Sequence, residues 1–220
     1  MANIISHENG EIRLQKLTPV IKALFGDYYL TELSTRGHYS ITCSAQPQWS
    51  NVGERLGRLV ESLSLPPNDC ADDTELQNHL YALVSHFGQD SNDQLDGLIS
   101  HIDDDANPAM DELFALAQAF DDGHGLFSVR MQTGFYCDRD RLNHHGGNAS
   151  HISKVFESHG STHDWLAQAH AICSALEHNQ IHEAAEVIHL SVQRILADIQ
   201  CANQRTTVQA ELLKLMQVTA

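Results

Sequence analysis

Lysine and arginine are missing from a third of this chain. From Leu59 to Val129, 71 residues, neither occurs, while Asp and Glu occur fifteen times, twelve of them as Asp. That stretch supplies −15 of the formal net charge of −16, and the other 149 residues are almost neutral, with 13 basic and 14 acidic side chains. A field of one sign over so long a stretch repels polyanions, which excludes duplex DNA, RNA and an anionic membrane as direct ligands.

Other absences narrow the reading further. The five cysteines (Cys43, Cys70, Cys137, Cys173, Cys201) are odd in number and scattered, with no C-x-x-C pair. A disulfide framework and a structural zinc knuckle are therefore not expected. No apolar run is long enough to cross a bilayer. The opening Met1 to Ser6 has neither the basic-then-apolar plan of a secretory leader nor the arginines of a transit peptide, so a reducing cytoplasm is expected. G-x-S-x-G, G-x-x-x-x-G-K-[ST] and G-x-G-x-x-G are all missing, and with them the usual acyl-transfer and nucleotide-binding signatures.

What is present reads as a mostly helical α+β chain. A single domain over 1–220 is expected, with a candidate sub-boundary near 65–72 at Pro66-Pro67. Thr18-Pro19 opens a short helix with Val20, Ile21, Leu24 and Phe25 on one face. Period-two alternation from Tyr28 to Ser34 and from His38 to Ser44, about Arg36-Gly37, predicts a β-hairpin. Alternation through Phe127, Val129, Met131 and Thr133 predicts a strand near 126–136, and hairpin plus strand give a small antiparallel sheet. Helices are expected over Val52–Leu63, within 72–87, at Leu95–Ile102 and at Met110–Phe120. Two more follow: one carries Trp165, Leu166, Ala169, Ile172, Cys173 and Leu176, the other the stripe Ile181, Ala185, Ile188, Val192, Ile195 and Ile199. The tail from Val208 to Met216 reads as a further amphipathic turn or two, and 137–160 as a long irregular loop.

Aspartate favours caps and turns, so many of the acids are expected to stabilise helix N-termini. That explains the aspartates but not the missing cations, because a face built only for solubility mixes the two signs. The expected partner-binding residues are Asp90, Asp93, Asp96, Asp103, Asp104, Asp105, Asp111, Glu112, Asp121 and Asp122, gathered on one face that docks on a basic protein. An inhibitor, an immunity-type protein or a nucleic-acid-mimicking regulator fits this pattern, with no enzyme activity required. The exposed stripe of the last helices also allows a homodimer.

The histidines carry the competing expectation. Nine of the fifteen lie between His144 and His189. His182, Glu186 and His189 follow i, i+4, i+7 spacing, but solvated flank positions are the default for such a set. The region 138–163, with Asp138, Asp140, His144, His145, His151, His159, His163 and Asp164, is the alternative: a metal-dependent hydrolase site. Cys137 with His144 or His145 is a weaker nucleophile–base pair. Residues 92–103 match an EF-hand loop at Asp96, Gly97 and Ile99, yet place Asn92 and Asp103 where Asp and a bidentate Glu belong. No catalytic residue, metal ligand or cofactor is assigned from the sequence.

Overall fold

The computed structural model describes residues 4–43, 47–66, 68, 73–88, 93–137 and 145–218. Six strands form one antiparallel sheet in the order β2-β3-β1-β4-β5-β6: β1 Ile4–Arg13, β2 Tyr28–Glu32, β3 His38–Cys43, β4 Ser128–Cys137, β5 Gly146–Ser153 and β6 Glu157–Ser161. Eight helices accompany them among the described residues: α1 Pro19–Leu24, α2 Trp49–Ser62, α3 Glu75–His86, α4 Asp93–His101, α5 Met110–Ala119, α6 Thr162–Glu177, α7 Ile181–Ala197 and α8 Ala202–Val218. The α+β class stands, but the sheet is larger than the small one expected.

The hairpin and the strand near 126–136 are where the alternation put them, paired Tyr28 to Cys43 through Glu32 to Tyr39. The additions are β1, β5 and β6. In β5 and β6 the pattern Gly-Gly-Asn-Ala-Ser-His-Ile-Ser and Glu-Ser-His-Gly-Ser contains one apolar side chain that is buried, Ile152. Backbone pairing from Asn148↔Ser161 to Ile152↔Glu157, and not side-chain burial, makes these strands, so no period-two signal announces them. The part of the expected loop at 138–144 lies outside the described residues. The tail is a helix of 17 residues, longer than the turn or two expected.

The chain divides into two compact units, Glu8–Val129 and Met1–His7 with Arg130–Ala220. Within Glu8–Val129, Trp49, Phe25, Phe120, Leu80, Leu83 and Ile99 are fully buried and set the core. Helix α1 keeps its Pro at the first position, and Thr18 makes no side-chain cap there. Its orphan Val20 N–H instead donates to Asp122 Oδ2 at 3.1 Å. Arg55 on α2 reaches α1 and the turn after it, donating to the Ala23 carbonyl at 2.8 Å and to both oxygens of Asp27 at 2.8 and 3.0 Å. A planar guanidinium meets both requirements at once.

Helices α2 and α3 approach closely because α2 presents glycine to its neighbour. A Cβ on Gly57 would lie 2.7 Å from the His79 ring, and one on Gly53 would lie 3.5 Å from Leu76. A capping box starts α3: Thr74 Oγ1 accepts from Gln77 N at 3.3 Å, and Gln77 Oε1 accepts from Thr74 N at 2.8 Å. Near the end of this unit His124 is buried, with Nδ1 accepting from Leu126 N at 2.8 Å and Nε2 donating to the Ala117 carbonyl at 2.9 Å. Because the Leu126 N–H can only donate, the imidazole is neutral with its proton on Nε2.

The other unit is built differently. Ser161 caps α6, accepting from Asp164 N at 3.0 Å, and Thr162 Oγ1 accepts from Gly147 N at 3.0 Å, which ties the helix to β5. Asn179, at φ 57, turns the chain from α6 into α7. The β5–β6 hairpin holds the far end of α7: Glu157 N donates to the Asp198 carbonyl at 3.0 Å and Ser158 Oγ to Asp198 Oδ2 at 2.6 Å. Among the described residues the Glu8–Val129 unit buries thirty apolar side chains and this unit five, namely Met131, Ile152, Ala175, Ala184 and Leu196. Among the described residues no helix is long and apolar enough to cross a membrane.

Candidate partner-binding face

The charge division follows the structural one. The Glu8–Val129 unit holds 20 acidic and 6 basic side chains, a balance of −14, whereas the other unit holds 9 and 7. Within the acidic unit nine of the ten candidate residues are described, and they fall into three settings. Asp93 and Asp96 stand in the first turn of α4, and Asp111 and Glu112 in the first turn of α5. There the helix dipole favours a carboxylate, and Glu112 Oε2 also accepts from Ala109 N at 2.8 Å. Asp93 and Asp111 are exposed.

The turn between α4 and α5 carries the second group. Asp103 Oδ1 accepts from Asp105 N at 3.1 Å, an Asx-type turn that leaves Asp103 and Asp105 exposed. Asp104 Oδ1 accepts from Thr74 Oγ1 at 3.4 Å and so lies at the start of α3. Asp121 and Asp122 form the third. Asp121 Oδ1 accepts from Gly123 N at 2.9 Å and lies 3.7 Å from His124 Nε2, while Asp122 holds α1. Lys16 also approaches this turn, its Nζ 3.8 Å from where a Cβ on Gly123 would stand. Asp90 lies outside the described residues.

The structure gathers Asp104 with three carboxylates outside the expected set. A cleft of about 430 Å³ between α2 and α3 is lined by Glu54, Glu61, Glu75 and Asp104, with Arg58, His79 and Trp49. Arg58 is paired with Glu54 four residues away, which leaves Glu61, Glu75 and Asp104 as the cleft's excess negative charge. His79 Nδ1 is buried and has no hydrogen-bond partner among the described residues. The seven-residue spacing of Glu54 and Glu61, which shares a helix face with Gly53 and Gly57, was the available sequence signal for this cleft.

Lys16 approaches the Asp121–Asp122 turn, but among the described residues no Arg or Lys ion pair falls on an acid of 59–129. Arg55, Arg58 and Lys214 pair with Asp27, Glu54 and Glu211, all outside 59–129, and inside that stretch Asp121 lies beside His124. Compared with known protein families, with characterised proteins and with solved structures, the chain matches none.

The histidine-rich region has no comparable convergence. Among the described residues no group of three His, Cys, Asp or Glu side chains is placed to hold a metal ion. His182 Nε2 and Glu186 Oε1 lie 3.2 Å apart and both are well exposed. His159 Nε2 lies 3.1 Å from Glu157 Oε1, His151 stands against the Phe156 ring, and Asp164 is engaged at the start of α6. Asp138, Asp140 and His144 lie outside the described residues, as does Asn92 of the EF-hand-like stretch.

Proposed function

We propose that the Glu8–Val129 unit is a non-enzymatic acidic binding module that docks on a basic partner protein. It would act as an inhibitor, an immunity-type protein or a regulator that takes the place of nucleic acid. The observation that carries this reading is the absence of Arg or Lys ion pairs on the acids of 59–129 among the described residues. Carboxylates left without cations keep a strong outward field, which accelerates encounter with a cationic surface and disfavours acidic competitors. Asp93, Asp96, Asp103, Asp105 and Asp111 supply the outer contacts. The cleft lined by Glu61, Glu75 and Asp104 accommodates a lysine or arginine side chain, whose donors suit several carboxylate oxygens at once.

Carbodiimide cross-linking in cells of the native host, followed by peptide mapping, tests this. It joins carboxylates to lysines only in direct contact. Cross-links from Asp93, Asp96, Asp103, Asp105 or Asp111 to a protein rich in Lys and Arg are expected. Cross-links confined to 130–220, or to partners with no excess of basic residues, would overturn the proposal.

A further inference from the structure

We infer that the chain self-associates as a twofold dimer in which α7 of one copy packs antiparallel on α7 of the other. On α7 the stripe Ile181, Ala185, Ile188, Val192 and Ile195 has the alternating four- and three-residue spacing of a helix-pairing seam. Such a seam ordinarily faces a core. Here Ile181 is 60% exposed, Ile188 50% and Ile195 59%. The face of α6 is turned outward as well, with Trp165 66% exposed and Leu166 and Leu176 more than half exposed. The two surfaces meet, because Trp165 and Ile195 line one cleft of about 410 Å³.

The exposed area is the right size for one more chain. Six side chains of this kind, each showing roughly 100 Å² of apolar surface, present about 600 Å². That is close to the ~800 Å² per partner of a stable interface and at the top of the range for a patch on a monomer. The unit also needs the burial: among the described residues five buried apolar side chains are few to order three helices of 16, 17 and 17 residues.

Self-complementarity favours a second copy over a different protein. In an antiparallel pair with the axis at residue 190, Ala185 stands opposite the Ile195 of the other copy, and Val192 opposite Ile188. Large side chains therefore meet small or medium ones throughout the centre of the seam. Charge points the same way. With 9 acidic and 7 basic residues this unit is nearly neutral, so two copies meet without strong repulsion, and a highly charged partner finds no counterpart.

Light scattering coupled to size exclusion, on the full chain at about 50 mM and about 500 mM salt, tests the inference. A mass of twice 24.4 kDa at both salts is expected, because an apolar seam is not screened. Ile188→Glu with Ile195→Glu should give a monomer whose circular dichroism still shows the folded helices, since both positions are exposed. A monomer for the native chain, or a dimer that survives the double substitution, would overturn it. A dimer lost at high salt would equally contradict it, because an apolar seam is not screened.

Discussion

Thr74 Oγ1 and Asp104 Oδ1 lie 3.4 Å apart across thirty residues of chain, so the residue that caps α3 also holds the turn between α4 and α5. Glu75 and the candidate Asp104 thereby line one cleft. Thr74→Ala removes the acceptor for Gln77 N as well as the donor to Asp104. A loss of about 1 kcal/mol in denaturant titration is expected, with Thr74→Ser retaining most of it. Equal stability of the alanine variant and the native chain would show that the cap contributes nothing.

Two arginines three residues apart should behave oppositely. Arg55 is half-buried, bidentate on Asp27 and bonded to the Ala23 carbonyl. Arg55→Ala leaves a carboxylate and a carbonyl without their donor, and a cost of roughly 2–3 kcal/mol is expected. Arg58 pairs with Glu54 in water, both well exposed, so Arg58→Ala should change the denaturation midpoint hardly at all.

Tyr28 provides the pH dependence. Burial pushes its phenol well above the ordinary value, and Glu8, Cys43 and Asp27 nearby add to the shift. The unfolded phenol ionises near pH 10 while the folded one stays protonated. Its contribution is therefore complete below about pH 10 and declines as the pH rises toward the folded value. Tyr28→Phe should flatten the loss of stability between about pH 10 and 11, and an unchanged alkaline limb would contradict the assignment.

The two glycines of α2 separate propensity from space. Gly53→Ala meets Leu76 at an ordinary contact distance and should gain about 0.5–1 kcal/mol from helix propensity. Gly57→Ala drives a methyl group into the His79 ring, 2.7 Å away, and should be less stable than Gly53→Ala by about 1 kcal/mol or more. Thermal melts of the two variants decide it.

Apolar periodicity revealed α1 to α7 and the strands β2, β3 and β4, but it read only a turn or two of the 17-residue α8. It could not reveal β5 and β6, because Gly, Ser and His strands held by backbone pairing leave no alternation. The α7 stripe was legible as an apolar face. Its openness to a second copy was read as one option, since the spacing says that a face seeks a partner but not whether the same chain supplies one. The acidic excess was visible in composition alone. The contribution of Glu54 was hidden because it lies outside the cation-free stretch, and only the glycine-mediated approach of α3 brings it and Glu61 beside Glu75 and Asp104.

The most direct test of the acidic docking surface is the affinity for the cross-linked basic partner at about 50 mM and about 500 mM salt. It should be measured for the native chain and for a variant with Asn at positions 93, 96, 103, 105 and 111. The native affinity should fall by about tenfold or more across that range, while the variant is weaker at low salt and changes less. Equal native affinity at both salts, or a variant that binds as the native chain does, would contradict it.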